Sequence, residues 1–519
     1  MIRLHDTLEY QARENADTAF AILGDQSISY AEADRQANRL ANALIAEGLE
    51  PGDRVAYLSK NSIEHAIFYY GAAKAGVVPV PLNYRLAPPE WSFIVADAGA
   101  KLLIAQPELA AGIDSVRDEL GSVARHLSAN GETAGWDSYD AFVASGGTDR
   151  PDRGVRAEDD VYQMYTSGTT GRPKGAVIQH RALGAQLHQA QSAFGLRAGD
   201  RSLIVAPLYH AAAAVASFAT VQAAGTLYIQ EDFAPADVVR ALDEEQIRLS
   251  LLVPAMIQFC LVAVPDVAKR EYRDLETIVY GASAISEAVL RQAIDVFKCG
   301  FLQGYGMTET TAAATYLMPK DHERALAGQS DLLLSAGRPL LGTEIRIVDD
   351  HDEPVPVGSL GEVCIRGPQV MRGYWNRPDA SEEALRGGWM HTGDAGRLDD
   401  AGFLYIQDRV KDMIVSGAEN VYPREIEEVL FAHDAVADAA VIGIPDEKWG
   451  EAVLAFIVKS AGADASADDL LEYCRSRLAG YKQPRQLEFV DELPRNASGK
   501  VLKKDLREPY WKGHERRVG

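Results

Sequence analysis

Over roughly its first 400 residues the chain alternates short β-prone apolar runs with helical patterns, and this alternation restricts the fold more than any other feature. Arg54–Leu58 reads as a strand, Ser62–Ala75 as a helix and Val77–Pro81 as a strand again. Lys101–Ala105 and Val161–Tyr165 are further apolar runs that stop at turn-forming residues. Such a pattern predicts α/β layers built from crossover units. Past Asp408 the texture changes: Glu425–Phe431 and Ala467–Leu478 read as helices, Ala439–Gly443 and Ala452–Val458 as strands. The expectation is an α/β fold with a large multi-subdomain N-terminal domain over residues 1–408 and a small α+β C-terminal domain over 412–519, joined through the polar stretch Gln407–Asp412. A length of 519 residues agrees, being more than one core fills.

The formal charge of −23 opposes general attraction to nucleic acid or an anionic membrane. The imbalance is uneven: Cys474 to Gly519 holds 12 Lys/Arg against 6 Asp/Glu, a local +6. That excess either faces an anionic ligand or is a solvated basic face. Cys260, Cys299, Cys364 and Cys474 are scattered without CxxC spacing, as expected of reduced thiols in a cytoplasmic protein. The N-terminus has no apolar leader core. Ser202–Gln230 lacks charge and is long enough to span a bilayer, but Pro207, His210, Gln222 and many alanines favour a buried strand and helix, so no membrane span is expected.

The sharpest local signal is Tyr165-Thr-Ser-Gly-Thr-Thr-Gly-Arg-Pro-Lys-Gly175. Gly168, Gly171 and Gly175 permit tight turns and close backbone approach, so main-chain N–H groups can converge on phosphate oxygens. Ser167, Thr169 and Thr170 add hydroxyl donors and Lys174 a mobile cation. GxxxxGK[ST] cannot be laid over the string, which argues against a P-loop NTPase. An ordinary turn of the same composition is the competing reading.

The full string resembles the signature loop of the acyl-adenylate-forming (ANL) superfamily, which includes acyl-CoA synthetases, luciferases and peptide-synthetase adenylation domains. Six further matches follow in family order: Pro207-Leu-Tyr-His210, Tyr280-Gly-Ala-Ser283, Gly304-Tyr-Gly-Met-Thr-Glu309, Trp389-Met-His-Thr-Gly-Asp394, Asp408-Arg-Val-Lys-Asp412 running on to Asn420, and Pro494-Arg-Asn-Ala-Ser-Gly-Lys500. The resemblance therefore covers nearly the whole chain. It implies an acyl-CoA synthetase: acid and ATP give acyl-AMP and pyrophosphate, then coenzyme A gives acyl-CoA and AMP.

The resemblance also implies roles. Thr166, Ser167, Gly168, Thr169, Thr170 and Lys174 belong to the ATP/AMP-binding set, with Gly281, Ala282, Ser283, Gly304, Gly306 and Ile406. Tyr305 flanks adenine, Thr308 donates to a phosphate oxygen, Asp394 accepts the ribose hydroxyls and Arg409 lies near ribose and phosphates. Glu309 helps hold Mg²⁺, a hard ion suited by oxygen, although a carboxylate there could simply suit a helix start. Lys500 is the catalytic cation: adenylation brings a carboxylate against an anionic α-phosphate, and a buried positive charge can bridge both. Lys411 matches the hinge position, within 409–411, on which the small domain rotates.

Ser416, Gly417 and Ala418 resemble the pantetheine-channel loop, where the common form has a second glycine at the position of Ala418. Trp449 matches a tryptophan near CoA, and Lys482 and Arg485 could meet CoA phosphates or be plain surface charges. His210 lines the acyl pocket together with Tyr209, Ala212, Met256, Tyr280 and Met307. No general base is needed, since the acid is ionised at neutral pH. The Tyr209–Ala216 stretch carries no acidic group to receive an amine, against an amino-acid adenylation domain. The small side chains after His210 predict a medium- to long-chain fatty acid as substrate; the alternatives are an aryl or arylpropenoic acid, or transfer to a carrier-protein thiol. The expected partners are the acid, ATP and CoA, with a homodimer left open.

Overall fold

The computed structural model describes residues 3–166, 172–283, 285, 287–409, 412–416, 419–446, 449–460, 462–495 and 501–512, with only the backbone at 408, 409, 415, 419 and 420. Ser167, Gly168, Thr169, Thr170, Lys411, Gly417, Ala418 and Lys500 therefore lie outside the described residues or side chains.

The expected alternation is present. Arg54–Leu58 is a strand over the anticipated residues, and Ile63–Ala75 is a helix capped by Ser62, whose hydroxyl accepts the His65 N–H. That helix ends at Gly76 in the left-handed region (φ 73°), which glycine adopts without strain. It is buried on nearly every side, because the strand layer and the helix Tyr30–Ala46 enclose it. The uncharged stretch after Arg201 resolves into the strand Arg201–Ile204, the helix Ala211–Gln222 and a second strand, Thr226–Ile229. Among the described residues no helix is long and apolar enough to cross a membrane.

The strands assemble into layers. In the largest sheet the strands Gly300–Tyr305, Thr277–Gly281, Ile247–Leu251, Arg201–Ile204, Thr226–Ile229 and Ala19–Leu23 lie side by side and parallel. Most of their central positions are buried, which suits their apolar content. A second, parallel sheet centres on Arg54–Leu58. The hairpin Asp160–Thr166/Lys174–Gln179 is anchored to it by Arg54, which pairs with Asp160 at 3.1 Å and stacks 3.4 Å from the Trp375 ring centroid. An antiparallel sheet of Glu344–Val348, Gly361–Arg366, Met390–Leu398 and Leu404–Arg409 follows. From Ile414 the chain enters a separate sheet, in which Val436–Asp446 and Gly450–Lys459 form a long antiparallel pair backed by the helices Pro423–Phe431 and Ala467–Arg475. This is the large-plus-small α/β arrangement expected from the pattern. The described cysteines are all free thiols.

Two histidines are locked inside this fold. His65 lies between the rings of Tyr57 and Tyr69, at 4.6 and 5.5 Å, and His180 accepts the Leu4 N–H on Nδ1 at 3.1 Å, which requires that nitrogen unprotonated. Burial pushes both pKa values down to about 3. Unfolding restores the ordinary value of about 6.5, so the unfolded chain binds protons that the folded one refuses. Their contribution is therefore intact above about pH 6.5 and is lost as the pH falls toward 3. The melting temperature should decline between about pH 6.5 and 5, before carboxylates titrate. A flat profile over that window would contradict the neutral, buried assignment.

Candidate active site

Three motif-bearing turns leave the carboxyl ends of parallel strands in the large sheet. Pro207-Leu-Tyr-His210 follows Arg201–Ile204, Ala282 and Ser283 follow Thr277–Gly281, and Gly306 to Glu309 follow Gly300–Tyr305. Open parallel sheets bind ligands in the crevice outside those ends. The strand ends approach so closely that a Cβ on Gly281 would lie 2.2 Å from the Gly304 carbonyl oxygen, and one on Gly306 would lie 2.4 Å from that of Ala312. Ala282, Thr311 and Ala312 all have positive φ (66°, 61° and 135°). Strain of this kind in non-glycine residues persists where the surroundings impose it, characteristically at ligand sites.

Glu309 sits in the short 3₁₀ turn Thr308–Thr310 and is 5 % exposed. Its Oε1 accepts the Tyr374 hydroxyl at 2.8 Å and the Thr166 hydroxyl at 3.4 Å, while Oε2 has no hydrogen bond among the described residues. Thr166 faces Lys174 across the base of the Gly/Ser/Thr loop, and the Lys174 ammonium lies 5.0 Å from the Tyr374 ring centroid. The loop base, the Glu309 carboxylate and a lysine thus converge. A carboxylate oxygen held rigid on one side and free on the other suits a hard divalent cation.

Asp394 lies on the other side of Tyr305, whose hydroxyl donates to Asp394 Oδ2 at 2.7 Å. Arg409 is its register partner on the neighbouring strand, and Ile406, partly buried against the same core, gives its carbonyl to Arg424 at 3.0 Å.

His210 caps the helix Ala211–Gln222 and Met307 packs, partly buried, against the same core. Burial, with Arg85 as a second cause, pushes the His210 pKa down to about 4, so the ring is neutral at neutral pH. Its Nε2 and the Tyr209 hydroxyl are both shielded from solvent without a hydrogen-bond partner among the described residues, and the two rings lie 4.5 Å apart. Ala212 is the one residue from Ala211 to Val221 that is not buried. The Tyr280 hydroxyl meets His322 Nε2 at 2.8 Å in a cluster that also holds Met256, while its strand neighbour Val279 packs in the core that holds Leu208 and Ala211.

In the C-terminal unit Ser416 pairs in register with Gly450, next to Trp449, which is 37 % exposed. The Arg485 guanidinium lies 5.6 Å from the Trp449 ring centroid. Lys482 is separate: its ammonium meets both oxygens of Glu425, at 2.7 and 2.8 Å, and this pairing outweighs partial burial in raising its pKa. Sequence reasoning missed Tyr374, because no spacing ties it to Glu309, and it missed Arg85.

The AMP-binding enzyme model matches residues 8–375, and the model of the AMP-binding enzyme C-terminal domain matches residues 425–500. The chain belongs to the AMP-binding enzyme family. It is an AMP-forming acid–thiol ligase. A fatty acid–[acyl-carrier-protein] ligase from Streptomyces coeruleorubidus, ScoC, is 39 % identical over 524 residues, covering 99 % of this chain and 98 % of its own. A feruloyl-CoA synthase from Amycolatopsis sp is 38 % identical over 488 residues (94 % and 95 %), and the long-chain-fatty-acid–CoA ligase FadD13 of Mycobacterium tuberculosis is 38 % identical over 493 residues (94 % of each). The crystal structure of ATP-bound MatB from Rhodopseudomonas palustris superposes with a TM-score of 0.88 at 29 % identity, covering 99 % of this chain and 100 % of that one. The enzyme thus has the ANL fold.

Gly281→Ala tests the strand-end crevice. The added methyl must displace the Gly304 backbone, so the melting temperature should fall by an overpacking cost of about 1–3 kcal/mol, and adenylate formation assayed well below the transition should fall by about 10-fold or more. Undiminished adenylation would show that the close approach has no bearing on the site.

Proposed function

We propose that the enzyme joins a medium- to long-chain fatty acid to coenzyme A through an acyl-adenylate, using ATP and Mg²⁺. A carboxylate oxygen of the acid attacks the α-phosphorus and pyrophosphate leaves; the CoA sulfur then attacks the acyl carbon and AMP leaves. Glu309, with its free Oε2, would hold Mg²⁺ on the phosphates, and the ion would neutralise charge there. Asp394 would accept the ribose hydroxyls, Thr308 would donate to a phosphate oxygen and Lys500 would bridge carboxylate and α-phosphate. Lys411 is the proposed hinge, because one rigid arrangement cannot present both Lys500 and the CoA-binding surface to the same acyl carbon. Ser416, Trp449 and Arg485 form the proposed CoA surface, supported by their convergence in the small unit.

The observation that carries the acid's class is the wall beside His210, where Ala212 stands unburied among buried alanines and Met307 adds adaptable apolar surface. ScoC and FadD13, whose names specify fatty acids, agree with it. A second reading is an aryl or arylpropenoic acid. It is favoured by the unpartnered Tyr209 hydroxyl and His210 Nε2 beside that wall, polar groups a polar substituent would satisfy, and by the feruloyl-CoA synthase relative.

A panel of fatty and aryl acids, given ATP, Mg²⁺ and CoA and read by pyrophosphate release and thioester mass, tests both readings. Fatty acids should give the highest kcat/KM; a preference for hydroxyaryl acids selects the second reading, and adenylate that reacts only with a carrier-protein thiol removes CoA. In Ala212→Trp the longer acids should lose activity and the shortest accepted acid keep it, with a melting curve to exclude overpacking damage of about 1–3 kcal/mol. Equal loss for all acids would move Ala212 out of the acyl wall.

Lys500→Ala should abolish most adenylate formation and largely spare thioester formation from pre-made acyl-AMP, since the second step needs no cation between two anions. A parallel fall of both half-reactions would overturn that assignment.

A further inference from the structure

Glu362, Cys364 and His391 bring three groups of metal-ligand type within 4.8 Å of one another. Positive charge is already supplied there. Arg386 reaches Glu362 at 3.3 Å and Asp352 at 2.8 Å, and burial pushes the Cys364 thiol up to about 12. What the cluster does is visible in the strand ladder. Glu362 pairs with Ala395 and Cys364 with His391, so two steps on one strand oppose four on the other. The extra residues, Thr392 and Gly393 with Asp394 just beyond, form a bulge in the strand Met390–Leu398, with Gly393 at φ 68°.

A bulge re-aims a side chain, but it leaves ladder N–H groups without carbonyl partners. Here side chains replace them. Glu362 Oε1 accepts the Gly393 N–H at 2.9 Å, and its Oε2 lies 2.9 Å from His391 Nδ1, which must carry the proton because the carboxylate only accepts. The Thr392 hydroxyl donates to the Val363 carbonyl at 2.7 Å and accepts the Asp394 N–H at 3.0 Å. One carboxylate therefore pins the bulge on both sides of Thr392. The next residue is Asp394, whose Oδ2 is held by Tyr305.

We propose that Glu362 is a positioning residue for ribose recognition: by taking the Gly393 N–H and the His391 ring on either side of Thr392 it fixes the bulge and with it the direction of Asp394. This rests on the reading of Asp394 as the acceptor of the ribose hydroxyls. It assigns Glu362 no contact with substrate, and it predicts a defect specific to the sugar rather than a general loss.

The experiment compares ATP with 2′,3′-dideoxy-ATP in wild type, Glu362→Ala and Glu362→Gln, with melting curves for each. Wild type should prefer ATP by about 10- to 100-fold in kcat/KM, the loss expected when the hydrogen bonds of the sugar hydroxyls to a charged acceptor go unmade. Glu362→Ala should raise KM for ATP about 10-fold, leave kcat nearly unchanged and leave the dideoxy analogue unaffected, so the preference shrinks by the same factor. Glu362→Gln, which still accepts from Gly393, should regain most of it. Equal losses on both nucleotides in a folded Glu362→Ala would overturn the positioning role while leaving Asp394 in place. A wild type indifferent to the sugar hydroxyls would overturn the Asp394 reading itself, and the positioning role with it. Should Glu362→Ala fail to fold, Thr392→Val, which removes the acceptor for the Asp394 N–H, must show the same selective loss.

Discussion

The buried carboxylate of Glu309 is the point on which the site's architecture depends. Its Oε1 takes hydroxyls from Thr166 at the base of the Gly/Ser/Thr loop and from Tyr374, and its backbone carbonyl takes the Met371 N–H at 2.8 Å. Three segments distant in sequence are thereby joined at one residue. The strand Gly373–Tyr374 in turn pairs with Lys174–Gln179, so the loop's hairpin is held from both of its strands. A buried anion costs several kcal/mol when unpaired, and two hydroxyls offset only part of that. A cation at the free oxygen would offset the rest, which would link assembly of the site to the proposed occupancy by Mg²⁺.

The crevice around Glu309 illustrates how a parallel sheet makes room for a ligand. Crossover connections place the turns along one edge, so the segments carrying His210, Gly281 and Gly304 share that edge without any sequence proximity. Space along that edge comes from missing side chains, since methyl groups at Gly281 or Gly306 would collide with backbone. Direction comes from strain and irregularity: positive φ at Ala282, Thr311 and Ala312 on one side, and the bulge before Asp394 on the other. Regular ladder geometry could not aim Tyr305 and Asp394 at each other.

Much of this was legible in the sequence, and the limits have physical causes. Strands and helices of the N-terminal part were readable to within one or two residues because apolar runs end abruptly at turn formers, as at Arg54–Leu58 and Ile63–Ala75. Motif residues were readable because their chemistry is bound to short strings. The surroundings of Tyr280 were not legible, because adjacency to Gly281 in a strand leaves open which face a side chain takes, and here its hydroxyl meets His322. Glu362 and Tyr374 were invisible because their roles come from register. Neither a bulge opposite Glu362 nor a strand pairing at Tyr374 leaves a local signature in composition or spacing.

The basic excess of the C-terminal segment also acquires a meaning that composition could not supply. Several of its described cations pair within their own unit: Arg475 with Glu472, Lys482 with Glu425, Lys503 with Glu427 at 2.9 Å, Arg507 with Asp412 at 2.6 Å and Arg495 with Asp438. The bare count of charges therefore overstates the positive face. Exposed pairs of this kind contribute about 0–1 kcal/mol each, but Lys503 and Glu427 are each only 14 % exposed, and Arg507 and Asp412 are similarly shielded. These shielded pairs tie the segment that follows Lys500 to the start of the small unit, Asp412 and the helix Pro423–Phe431. The proposed role of Lys500 would need its flank fixed in place, and these shielded pairs anchor the segment that follows it.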